Sequence, residues 1–172
     1  MAEIERNSQS VQSPADGFDL EHFLPYRLSQ LSNTVSQGIA QFYQQQHGLT
    51  VPEWRVMVVL GRYPGLTASQ VCERTVMDKV TVSRAVKLLL DKQYLQRLND
   101  SSDRRRRPLR VTADRGKKVL DDVIPFALGY QHALLRSLSP DDFTTLETLM
   151  EKLLAAATQL NQRSSPGAVD RS

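Results

Sequence analysis

The side chains best suited to chemistry in this chain are cationic, and they cluster. Arg104, Arg105, Arg106 and Arg107 stand in a row, and Lys79, Arg84, Lys87 and Arg97 precede them at short spacing. Between Asp78 and Lys118 there are 13 Lys and Arg against 5 Asp and Glu, a local charge of +8. The whole chain carries only +3, so the remainder is acidic at −5. Guanidinium presents a planar fork of donors and ammonium a compact point charge, and both match phosphate oxygens. A compact basic block in an otherwise acidic chain points to an anionic partner, nucleic acid first. A solvated charged face accounts for scattered charge better than for four successive arginines.

Little else in the sequence offers catalytic or metal chemistry. The single cysteine, Cys72, excludes an internal disulfide and a cysteine-built zinc site. His22, His47 and His132 are scattered. There is no Gly-rich phosphate loop, nucleophile elbow or HExxH motif. The close acidic pairs, Asp121-Asp122 and Asp141-Asp142, are consecutive residues on expected helices. We therefore expect no enzyme activity, no cofactor and no metal. The start, MAEIERNSQS, is acidic and polar, so no signal peptide is expected. Apolar runs such as VMVVL at 56–60 are too short for a membrane span, and a cytoplasmic protein with no membrane partner is expected.

The elements that must position these cations follow from periodicity and caps. Leu24, Leu28, Leu31, Val35, Ile39 and Phe42 recur in steps of three and four and predict a long helix, with Pro25 in its first turn and Gly48 at its stop. A second helix is expected from Pro52 to about Tyr63, with Trp54, Val58 and Val59 or Leu60 inward, ended by Pro64 and Gly65. A short helix follows from an N-capping Thr67 to Glu73 or Arg74. The segment DKVTVSRAVKLLLDKQ has Asp78 as N-cap and a buried stripe of Val82, Ala85, Val86 and Leu89. At 100° per residue its opposite side shows Val80, Arg84, Lys87 and Asp91, flanked by Thr81, Ser83 and Leu88. Tyr94 to Leu98 and Leu109 to Thr112 are strand candidates around a turn-rich, cationic tip. Two helices followed by such a hairpin read as a winged helix-turn-helix. A further helix runs to about Leu138, with Pro125 expected to bend it. Ser139, Pro140, Asp141 and Asp142 open a last helix, whose stripe runs through Phe143, Leu146, Met150, Leu153, Ala157 and Leu160.

Helical arms around a central winged helix resemble the MarR family of bacterial transcription regulators. The wing carries Asp103, one residue, Arg105, five residues, then Val111-Thr112, where the family pattern ends in Leu-Thr. DKVTVSRAVKLLLDKQYLQR resembles the family's recognition helix and its exit into the wing, and PEWRVMVVLGRYPGLTASQVCERT the two preceding helices. The likeness covers roughly residues 20 to 160. There are two departures. Gln93 stands where the family often has Gly, and a left-handed backbone there would cost Gln about 1 kcal/mol. Gly116 follows Thr112 by four residues instead of three. The resemblance implies a mainly α fold with a small β-hairpin wing and terminal dimerisation helices. We assign 1–17 to a disordered arm, 18–50 to the N-terminal dimerisation helix, 51–112 to the winged region, 113–160 to C-terminal dimerisation helices and 161–172 to a flexible tail.

In helix-turn-helix proteins the second helix enters the major groove of double-stranded DNA. Arg84 and Lys87 are then expected on bases or phosphates, Thr81 and Ser83 likewise, Val80 on a thymine methyl, and Lys79 and Arg97 on phosphate. The likeness makes Arg105 the wing-tip arginine of a narrow minor groove, oriented by Asp103, with Arg104, Arg106 and Arg107 adding phosphate contacts. A homodimer with half-sites one DNA turn apart, roughly 34 Å, is expected.

Family members commonly respond to small aromatic or phenolic compounds, which implies a ligand-responsive repressor released from a palindromic operator. Arg27 with Tyr26, Trp54 and Arg55 nearby is the expected ligand site, with core packing the competing role of Trp54 and a surface or interhelix ion pair that of Arg27. Two alternatives stand beside this reading. One is oxidation sensing through Cys72, against which an inert buried thiol is weighed. The other is a winged-helix module that binds protein, which the cationic RRRRP tip disfavours.

Overall fold

The computed structural model describes residues 17–98 and 107–163. Helix α1 spans Leu24–His47, α2 Val51–Arg62, α3 Ala68–Thr75 and α4 Lys79–Asp91. Strands β1 (Leu95–Arg97) and β2 (Leu109–Val111) follow, then α5 (Arg115–Leu135) and α6 (Pro140–Arg163). The expected wing-tip residues Asp103, Arg104, Arg105 and Arg106, most of the expected arm and most of the tail lie outside the described residues.

Local chemistry sets each boundary. Gly48 ends α1 with a left-handed φ of 61°, and its N–H reaches the Gln44 carbonyl. Thr50 opens α2 with a reciprocal capping box. Its hydroxyl accepts the Glu53 N–H, and the Glu53 carboxylate accepts the Thr50 N–H. Thr67 and Gln70 repeat the device at α3. Asp78 caps α4 by accepting the Thr81 N–H at 2.8 Å. Ser139 and Asp142 exchange the same pair of bonds at the start of α6.

One core joins α1 to α5. Tyr43 and Ala40 of α1, Val56, Met57 and Leu60 of α2, and Val71 of α3 meet Val82, Ala85, Val86 and Leu89 of α4. Leu95, Leu109, Val119 and Val123 complete it. The hairpin pairs Leu95 with Val111 and Arg97 with Leu109 in antiparallel register. Leu109 also exchanges backbone bonds with the connection before α3, accepting from the Gly65 N–H and donating to the Leu66 carbonyl. The base of the wing is thereby tied to the helix-turn-helix and not only to its own hairpin.

Several boundaries and faces differ from expectation. Val58, expected inward, is 37% exposed, while Glu53 is buried. The run VMVVL is apolar all round, so periodicity could not orient it; the face is set by Val56, Met57 and Leu60 stacked one turn beyond Glu53. Trp54 is half-buried and stacks on Tyr43 with ring centroids 5.5 Å apart. Helix α2 begins and ends one residue earlier than expected, α3 continues to Thr75, and α5 stops at Leu135 with Pro125 inside it. Helix α6 runs through Asn161, Gln162 and Arg163, three residues into the expected tail.

Candidate nucleic-acid interface

The outward side of α4 carries the expected residues. Lys79, Val80, Ser83, Arg84 and Lys87 are exposed, Val80 by 58%. Thr81 differs. It is half-buried, and its hydroxyl donates to Asp78 at 2.5 Å, so the donor is already engaged in the cap. Its methyl and remaining lone pair are what it can offer a partner. The Thr81 bonds hold the Asp78 carboxyl below the usual carboxylate range.

A groove runs between α4 and the wing. Ser83, Lys87, Arg97 and Arg107 line it together with Thr67 and Ser69 from the start of α3. Among the described residues three cations converge there, from α4, from β1 and from the approach to β2. Arg97 is placed by the three-residue strand β1, and Arg107 by the return of the chain into β2. Among the described residues Asp91, at the far end of α4, is the carboxylate on this groove. The concentration of positive charge along a channel bordered by a helix suits a polyanionic backbone. The sequence reading missed Thr67 and Ser69, because their position on the groove depends on how α3 crosses α4. The Thr67–Gln70 capping box locates the helix start in sequence but not what it faces.

The four residues expected to form a ligand site do not come together within one protomer. Tyr26 and Arg27 lie in the first turn of α1, both exposed, with Arg27 on a shallow groove beside Gln30, Leu31 and Thr34. Trp54 packs on Tyr43, sixteen residues further along the same helix, or about 24 Å at 1.5 Å per residue. Arg55 is exposed on α2 near that end; its charge offsets part of the rise that burial imposes on the Tyr43 hydroxyl. Cys72 is half-buried against the core. Among the described residues no group of three or more His, Cys, Asp or Glu is placed to hold a metal. No helix among them is long and apolar enough to cross a membrane.

A short helix, a turn, an exposed second helix and a hairpin anchored back onto both define a winged helix-turn-helix. Comparison with known proteins finds the same architecture in one family. A sequence model of the MarR family matches residues 47–106. The transcriptional regulator HosA of Escherichia coli O127:H6 is 27% identical over 125 residues, covering 73% of this chain and 92% of that protein. A MarR family regulator from Silicibacter pomeroyi is similar at 28% identity with a TM-score of 0.69, covering 88% of this chain and 99% of that one. A MarR/EmrR family regulator from Acinetobacter shares the fold at 24% identity and a TM-score of 0.74, covering 82% and 99%. These likenesses all lie with the MarR family of transcription regulators, and the family model covers the stretch from the end of α1 through the helix-turn-helix to β1 and beyond.

Proposed function

We propose that this regulator binds double-stranded DNA as a homodimer, with α4 in the major groove and the wing on the adjoining backbone. The observation that carries the reading is the groove of Ser83, Lys87, Arg97 and Arg107 beside the exposed side of α4. Arg84 and Val80 are the base-reading candidates, and Lys79, Lys87, Arg97 and Arg107 the phosphate candidates. Arg104, Arg105 and Arg106, with Asp103 orienting Arg105, extend the same assignment to the wing tip.

Dimerisation is supported by the terminal helices. Helix α6 has no buried residue in the protomer, and Leu149, Met150, Leu154 and Leu160 are each more than half exposed. Leu28 of α1 joins Met150, Leu153, Leu154 and Ala157 of α6 around one apolar groove. A contiguous apolar surface of this kind marks an interface. A two-fold dimer implies a palindromic operator.

The finer reading is a repressor that a small aromatic or phenolic compound releases. Its support is the aromatic packing where α1 meets α5 and α2, with Phe42 stacked on Phe126 at 4.0 Å and Tyr43 on Trp54. The exposed Tyr26 and Arg27 offer a separate place for a carboxylate. A released state requires the ligand to favour an arrangement that mismatches DNA, since only differential affinity shifts a population. The test is anisotropy titration onto a fragment from upstream of the protein's own gene, with competitor DNA, followed by aromatic acids. Competitor-resistant binding of two protomers per site is expected. Loss of the ligand response in Arg27→Ala with DNA binding intact is expected if Arg27 holds the carboxylate, and an unaltered response removes it from the site.

A further inference from the structure

We propose that Lys92 is a positioning residue, fixing the angle between the recognition helix and the dimerisation helix and so the half-site spacing a dimer accepts. This rests on the reading of the protein as a dimeric DNA binder. Lys92 caps the C-terminal end of α4, its N–H returning to the Leu88 carbonyl. Its ammonium then leaves the helix. It donates to the Gly48 carbonyl at 2.8 Å and to Glu53 Oε1 at 2.6 Å. Gly48 is the left-handed residue where α1 ends, and Glu53 lies in the first turn of α2. The other Glu53 oxygen accepts the Thr50 N–H and hydroxyl, each at 2.8 Å. One ammonium therefore ties the end of the recognition helix to the joint between α1 and α2, across 44 and 39 residues of sequence.

The chemistry makes this tie directional. Glu53 is 1% exposed and Lys92 32%, and no other ion pair among the described residues has a member so buried. A buried carboxylate deprived of its counter-ion is strongly disfavoured. Rotation of α4 against α1 must stretch either the carbonyl bond or the ion pair. The surrounding apolar contacts, Leu49, Met57 and Leu89 among them, are non-directional and tolerate sliding. The neighbouring pair, His47 of α1 and Asp122 of α5, is 3.5 Å apart and His47 Nε2 has no hydrogen-bond partner, so it does not duplicate the tie. The tie occurs once in each protomer, so both recognition helices of a dimer are set by it.

The test compares the wild type with the double variant Lys92→Met/Glu53→Gln. This removes both charges together, and the introduced amide keeps an acceptor oxygen for Thr50. Each protein selects from a DNA pool of paired half-sites whose spacers differ by single base pairs, with single half-sites as reference. The wild type is expected to prefer one spacing. In the variant that preference should fall about five-fold or more, with single half-site binding retained. A folded, dimeric variant with the wild-type spacing preference overturns the proposal. If the double variant does not fold, Lys92→Arg moves the charge and replaces the point donor with a planar fork; its spacing profile should shift or broaden, and an unchanged profile overturns the proposal. A wild type that enriches no paired half-sites overturns the dimeric reading itself.

Discussion

The Thr112 hydroxyl accepts a 2.8 Å hydrogen bond from the Gly116 N–H, and this one contact explains the spacing of the wing's exit. The same hydroxyl donates to the Gln93 carbonyl at 2.9 Å. Gln93 is left-handed with φ 60°, as a glycine would be. The start and the end of the wing are therefore joined through one threonine. Gly116 is buried at the first turn of α5, where a Cβ would strike the Tyr94 carbonyl oxygen and come within 2.6 Å of Val111 Cγ1. A backbone atom cannot swing aside as a side-chain tip can.

Gly116→Ala should therefore destabilise the protein by about 1–3 kcal/mol, because the wing base and α5 must separate. Thermal unfolding checks this. A melting temperature equal to wild type would mean that the hairpin yields without cost.

Val76 occupies the turn between α3 and α4 with φ 52° and 93% exposure. A β-branched residue is strained there, and with no packing to lose the strain is uncompensated. Val76→Asn, which tolerates the left-handed region, should stabilise by about 0.5–1 kcal/mol. Val76→Gly should gain less, since Gly loses more chain entropy on folding. The urea midpoint should rise with an unchanged slope; a fall would show that Val76 does more than fill a turn.

What the sequence could express was local. The buried stripe of α4, the caps Thr67, Asp78 and Ser139, and the stop at Gly48 each depend on neighbours within four residues, and the structure has them as read. Exposure of Val80, Arg84 and Lys87 follows from the same helical period, whereas Lys79 is exposed because it is the first residue of α4. Non-local relations were not legible. Lys92 meets Glu53 only because α4 crosses α2, and nothing in either segment announces the other. Arg27 and Trp54 are compatible as a site by residue type alone, since type carries no axial distance along a 24-residue helix. The outward side of Val58 is not legible because a uniformly apolar run carries no period from which it can be read.

Asp78 predicts a pH dependence whose sign is fixed by its bonds. The Thr81 hydroxyl and N–H stabilise its charged form, so its folded pKa lies below the ordinary 3.8. A depressed acid contributes stability that is present above the unfolded value and lost as pH falls through the folded one. The helical circular dichroism signal in mild urea should therefore weaken as pH drops below about 4. Asp78→Asn keeps a capping oxygen and should flatten that decline, whereas a wild-type-like acid profile in the variant would assign the loss to other carboxylates, Asp114 and Asp142 first.

Salt dependence separates the two roles proposed for the basic residues. A residue on phosphate releases counterions whatever the base sequence, so Lys87→Ala and Arg97→Ala should each lower the log–log salt slope by about 0.9. Their loss of affinity should be nearly equal on specific and random DNA. Arg84, exposed on the outward side of α4 and absent from the wing groove, should behave differently. Arg84→Ala should cost about 1–3 kcal/mol on the operator and relax the preference at one base position. Arg105→Ala should cost about the same, but through the minor groove, with the penalty greatest where the flanking sequence narrows it. Anisotropy titrations over a range of potassium chloride, on the operator and on scrambled DNA, read all four variants in one assay. If Arg84→Ala reduced the slope as Lys87→Ala does and left the base preference intact, the base-reading role would pass to Val80 and Ser83, the exposed α4 residues without a formal charge that flank it.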